Sequence, residues 1–107
     1  MEKAELSLLL DYYGAFLTER QRDIARMSAD EDMSLSEIAE AVGVSRQGAR
    51  DSIVKAAKKL AEFEEKLGLA ERDRRLRSLL KELMDAAEAS DTEGVMRSAD
   101  ALKAVLR

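Results

Sequence analysis

Apolar residues return every third or fourth position along most of this chain, a spacing that follows one face of an α-helix rather than one side of a strand. Leu6, Leu9, Leu10, Tyr13, Phe16 and Leu17 open the pattern and predict an amphipathic helix ending near Gly14 or shortly after. Thr18 followed by Gln21 is a capping box, in which a hydroxyl and an amide oxygen each accept an otherwise unpaired backbone N–H. A second helix starts there, with Ile24, Ala25, Met27 and the stem of Gln21 inward. Asp30-Glu31-Asp32 reads as a solvated loop, with hard-cation binding the much weaker alternative. Ser34 and Glu37 form a second capping box for a short helix from Leu35 to Val42, which turns Leu35, Ile38, Ala39 and Val42 inward. Gly43 suits the left-handed closure of that helix, Val44 plugs the core, and Ser45 caps the next helix.

The fourth helix carries Ala49, Ile53, Ala56, Leu60, Phe63 and Leu67 at alternating spacings of four and three, the seam of a coiled-coil-like contact. From Ser45 to Leu67 it spans about 33 Å at 1.5 Å per residue, more than a three-helix domain needs. Its far end is expected to bury its apolar side against the downstream helices or against a second copy of the chain, which would make a homodimer. Two further helices are predicted. One runs from Glu71 to about Ala89 with Leu76, Leu79, Leu80, Leu83 and Ala87 inward. The other runs from Thr92 to Leu106 with Val95, Ala99, Leu102 and Leu106 inward, after a break at Ser90-Asp91. The expected fold is all-α: a helix-turn-helix domain over 1–68 with an extended recognition helix, then a helical hairpin over 69–107 that packs on the long helix or mediates dimerisation.

A helix-turn-helix needs a small residue where its helices cross, a glycine in the turn and apolar anchors on the second helix. Ile38, Ala39, Val42, Gly43, Val44, Ala49 and Ile53 meet those needs. With Ala49 and Ile53 inward, the outward residues of the second helix include Arg46, Gln47, Arg50 and Asp51, then Lys55 and Lys58. Arg50 has the geometry to bond guanine O6 and N7, Gln47 to read adenine, and Arg46, Lys55 and Lys58 to rest on phosphates. Asp51 repels phosphate unless it accepts from a cytosine amine. Gly48 weakens the helix by about 1 kcal/mol relative to Ala, and either permits a close backbone approach or has no role.

Composition narrows the chemistry. The chain has neither Cys nor His, so thiolate, imidazole and disulfide chemistry is excluded, and neither a metal nor another cofactor is expected. Asp and Glu number 22 against 18 Lys and Arg, yet residues 45 to 60 hold five basic side chains and only Asp51 in opposition. A second basic cluster, Arg72, Arg74, Arg75 and Arg77, is interleaved with acids and reads as a solvated face, with structured RNA the sharper alternative. Tyr12, Tyr13, Phe16 and Phe63 lie at core spacing rather than as a base-stacking platform. The first apolar run is broken by Asp11, short of the roughly 20 residues of a membrane span, so no membrane insertion and a cytoplasmic location are expected.

The blocks "LDYYGAFLTERQRDIARM" and "DMSLSEIAEAVGVSRQGARDSIVKAAKKLAEFEEKLGL" resemble the YlxM-like family of small bacterial proteins over residues 2 to 69. The helix-turn-helix part is also similar to region 4 of bacterial sigma factors. The resemblance implies a DNA-binding or regulatory helix-turn-helix protein, without catalytic residues, tied to the signal recognition particle pathway through its GTPases Ffh and FtsY or its RNA. Ser45, Arg46, Gln47, Gly48 and Arg50 fall where such a protein presents its recognition helix. Ala49 is smaller than the β-branched residue often found at that place, a departure that bears on the tightness of packing. An interaction module without nucleic-acid binding is the alternative function.

Overall fold

A computed structural model describes all 107 residues. It holds six α-helices: α1 (Lys3–Tyr13), α2 (Glu19–Ala29), α3 (Leu35–Val42), α4 (Arg46–Leu67), α5 (Leu69–Glu88) and α6 (Thr92–Val105), with a 3-10 turn at Gly14–Phe16 and no strand. The chain divides into two compact units, residues 1–68 and 69–107.

In the first unit the caps fix where helices begin. Thr18 and Ser34 close capping boxes, their hydroxyl oxygens each accepting a backbone N–H at 3.1 Å from Gln21 and Glu37. The end of α3 is set by Gly43, whose φ of 72° is left-handed, and Val44 N–H returns to the Ala39 carbonyl at 3.0 Å. Only a residue without Cβ enters that turn freely. Ile24 of α2, Ile38 and Ala39 of α3 and Ala49 of α4 then bury together, with Val42, Val44 and Ile53 packed around them. Ala49 is fully buried, so the small side chain at the crossing leaves it no exposed edge. The anchors place α3, turn and α4 as a helix-turn-helix. Arg20 completes the end of α3 by donating to the Val42 carbonyl at 3.2 Å.

α1 covers part of the far half of α4. Tyr13 is fully buried and donates its hydroxyl to Glu64 at 2.6 Å, while its ring stacks on Phe63 at 6.0 Å. The linear pattern does not reveal this pairing, because its members lie 51 residues apart. Phe16 departs from its expected core place. It touches Phe63 at 5.1 Å but is 62 % exposed, because the 3-10 turn breaks the helical register that would have carried it inward. Leu67, the last residue of the seam, is likewise exposed.

The second unit is the hairpin of α5 and α6. α5 begins at Leu69, directly after Gly68 closes α4 in the left-handed conformation, and not at Glu71. Asp91 caps α6 by accepting the Gly94 N–H at 3.0 Å. Only Ala70, Gly94 and Ser98 are buried. Leu80, Ala87 and Leu106, expected inward, are exposed, because two helices offer each other one side only and these residues lie on the apolar arc beyond it.

Candidate nucleic-acid interface

The start of α4 is built around Ser45, whose Oγ accepts the Gly48 N–H at 2.9 Å. Gly48 has a local reason: a Cβ there would lie 3.1 Å from Ser45 Oγ and 3.7 Å from Val44 Cβ, tighter than the cap tolerates without shifting. The bond leaves the Ser45 hydroxyl proton free to turn outward. From this cap Arg46, Gln47 and Arg50 project into an open cleft of about 480 Å³, whose fourth wall is Leu35 at the start of α3. Leu35, expected from its spacing to be a core residue, is half-buried and shares its surface between core and cleft.

Arg46 and Arg50 are exposed and enter no ion pair. Arg46 opens α4, where unpaired N–H groups and the macrodipole add to positive potential, and Arg50 stands one turn further on. Gln47 is more constrained: its amide nitrogen donates to Asp51 at 2.9 Å. That bond holds the carboxylate one turn from the cleft and occupies one of the two amide N–H groups, leaving the other N–H and the amide oxygen for adenine N7 and N6. Lys55 and Lys58 are exposed but do not line the cleft. At 100° per residue Lys55 lies about 140° around the helix from Arg50. Of the six residues expected to contact nucleic acid, three line one surface, Ser45 caps their helix, and the two lysines extend along its flank.

A second cleft of about 260 Å³ adjoins the first, lined by Leu6, Leu35, Arg50, Ile53, Val54 and Ala57 among others. Val54 is 55 % exposed. The buried stripe does not mark Val54, which follows Ile53 and falls outside it. The signal in the sequence that could have found it is an apolar residue standing off the stripe on an otherwise polar face.

The acidic loop does not gather into a metal site, and no group of three carboxylates is placed to hold an ion. Its members tie the loop to α1 and α2. Hydrogen bonds from Ser7 and then Arg26 hold the Asp30 carboxyl below its ordinary value, and Lys3 does the same for Asp32. The backbone N–H of Ser34, followed by its side chain, lowers Glu37.

Comparison with known proteins adds a lineage. Residues 1–98 match the family described as "Putative helix-turn-helix protein, YlxM / p13 like". A UPF0122 protein of Symbiobacterium thermophilum is 46 % identical over 100 residues, covering 92 % of each chain. One from Desulforamulus reducens is 40 % identical over 106 residues, covering 95 % of this chain and 91 % of its own. A third, from Clostridium perfringens, is 44 % identical over 81 residues, covering 75 % and 71 %. The family match runs beyond the two sequence blocks that end at residue 69, through α5 and into α6. No helix is long and apolar enough to cross a membrane.

Proposed function

The chain belongs to the UPF0122 family of YlxM/p13-like helix-turn-helix proteins, and from that premise we propose that it is a non-enzymatic regulator that binds DNA through the amino-terminal face of α4. The observation that carries this reading is the open cleft into which Arg46 and Arg50 project without acidic partners. A helix-turn-helix lays the start of its second helix in the major groove. There Arg50 bonds a guanine edge, Gln47 an adenine edge, and Ser45, Arg46, Lys55 and Lys58 hold phosphates. The signal recognition particle pathway in the cytoplasm is the setting that the family resemblance implies.

Fluorescence anisotropy on duplex DNA across a salt series tests the reading. If Arg46, Lys55 and Lys58 each neutralise one phosphate, the logarithm of affinity falls with that of salt at a slope of about −2.7. Reversing Arg46 and Arg50 to Glu removes most binding and about a third of the slope. Absence of binding at low salt, or binding indifferent to the double reversal, would sink it.

The adjoining apolar cleft favours one second reading, in which the same face docks a protein, Ffh or FtsY, with signal recognition particle RNA as a bridge or none. Ile53, Val54 and Ala57 give such a partner an apolar contact that phosphates do not use. Recovery of either GTPase from lysate after nuclease treatment supports direct protein contact, and its loss on nuclease points to an RNA bridge.

A further inference from the structure

Asp51 is the one acid among the five bases of residues 45–60, and its partner is not the one that helical spacing favours. Lys55 stands four residues on, where an acid followed by a base makes the better ion pair. No such pair forms. Asp51 instead accepts the Gln47 amide N–H at 2.9 Å across one turn, while standing outside the lining of the cleft that Gln47 enters.

The order of these side chains around α4 gives that bond a direction. At 100° per residue, Arg46, Arg50, Gln47 and Asp51 follow one another over an arc of about 140°, so Asp51 borders Gln47 on the side away from both arginines. Its carboxylate draws the amide nitrogen to that side and leaves the amide oxygen turned from it. The reversed amide would set oxygen against oxygen with no proton between them. A glutamine amide has two orientations of nearly equal energy about its last torsion, and the carboxylate selects one.

On the DNA reading proposed above, on which this step rests, the choice of orientation becomes a choice of base. The second N–H and the oxygen form a donor–acceptor edge that matches adenine N7 and its N6 amine. Guanine shows two acceptors in the same groove, N7 and O6, and a fixed amide meets one of them with its own oxygen. An amide free to turn would offer guanine its nitrogen instead. We propose that Asp51 is a positioning residue, which fixes the Gln47 amide so that this place in the groove accepts adenine and rejects guanine. Its charge weakens binding to every sequence while it sharpens the choice at one base.

Selection from a randomised duplex pool, followed by anisotropy on the enriched site and its single-base variants, tests this. The position concerned is the one whose preference Gln47→Ala erases. There the wild type is expected to prefer adenine over guanine about tenfold or more. Asp51→Asn, whose amide pairs with either orientation of Gln47, is expected to lower that ratio about threefold, as the loss of one net hydrogen bond does. The same variant is expected to bind all duplexes more tightly, because a charge that repels phosphate is gone. A helix brace alone would change stability and leave the ratio untouched. In a Gln47→Ala background, Asp51→Asn should shift the ratio no further. A ratio unmoved by Asp51→Asn, or moved equally without Gln47, overturns the inference and leaves DNA binding standing. An unenriched pool with no binding at low salt removes the DNA reading and the inference together. In the free protein, nuclear magnetic resonance should find the two Gln47 side-chain amide protons unequal in exchange with solvent, and Asp51→Ala should make them alike. Protons already alike in the wild type overturn the inference whatever the DNA result.

Discussion

Two glycines separate conformational need from steric need. Gly14 has right-handed backbone angles (φ −56°, ψ −32°), and a Cβ there would meet Arg22 Cδ at 3.6 Å, ordinary contact. Gly94 is buried in the first turn of α6, where a Cβ would stand 2.4 Å from Asp91 Oδ2 and 3.0 Å from Ala86 Cβ. Gly14→Ala should therefore stabilise by about 0.4–1 kcal/mol, chiefly by narrowing the unfolded ensemble. Gly94→Ala should destabilise the hairpin by about 1–3 kcal/mol, as overpacking does, by displacing the cap and prising α6 from α5. Urea unfolding followed by circular dichroism checks both signs, and equal effects would refute the distinction. No periodicity marks Gly94, because its neighbour Ala86 lies across the turn.

At the scale of elements, three carboxylates tether the helices of the first unit. Asp30 and Asp32 bind the loop to α1 and α2, and Glu37 closes the cap of α3. All three are held below their ordinary values, 3.8 for the aspartates and 4.5 for Glu37. A carboxyl depressed in the folded state contributes stability that is present in full above its unfolded value and lost as pH falls through the folded one. Urea midpoints should thus be level with respect to these groups above about pH 5 and decline below 4.5. Glu37→Gln keeps a side-chain oxygen for the Ser34 N–H but cannot titrate. Its midpoint should fall less steeply over that window than the wild type's, and parallel curves would show that the cap does not contribute to acid sensitivity.

For the whole molecule, the two units differ in how completely each buries its own apolar residues. Leu6, Leu10, Tyr13, Ile24, Ile38 and Leu60 are all buried in residues 1–68, enough for a closed core of that length. Residues 69–107 bury no large hydrophobic side chain. Expressed separately, the first segment should unfold in one cooperative transition, and the second should melt with little cooperativity because it buries no large side chain of its own. Thermal melts distinguish the outcomes. A cooperative melt of 69–107 would mean that the hairpin is stable unaided.

Much of the fold was legible in one dimension because its determinants are local. Thr18, Gln21, Ser34, Glu37, Gly43 and Ser45 act within four residues of themselves, and the three- and four-residue spacing selects the buried side of each helix. The candidate site was legible for the same reason: Arg46, Gln47 and Arg50 follow once Ala49 is placed inward. Tertiary structure alone decided what depends on distance through space. It brought Tyr13 to Glu64, turned Phe16 outward and set Leu35 in the wall of the cleft. It also left Leu80 and Leu106 exposed. Periodicity reports that a face is apolar, but only packing decides whether another element lies close enough to cover it.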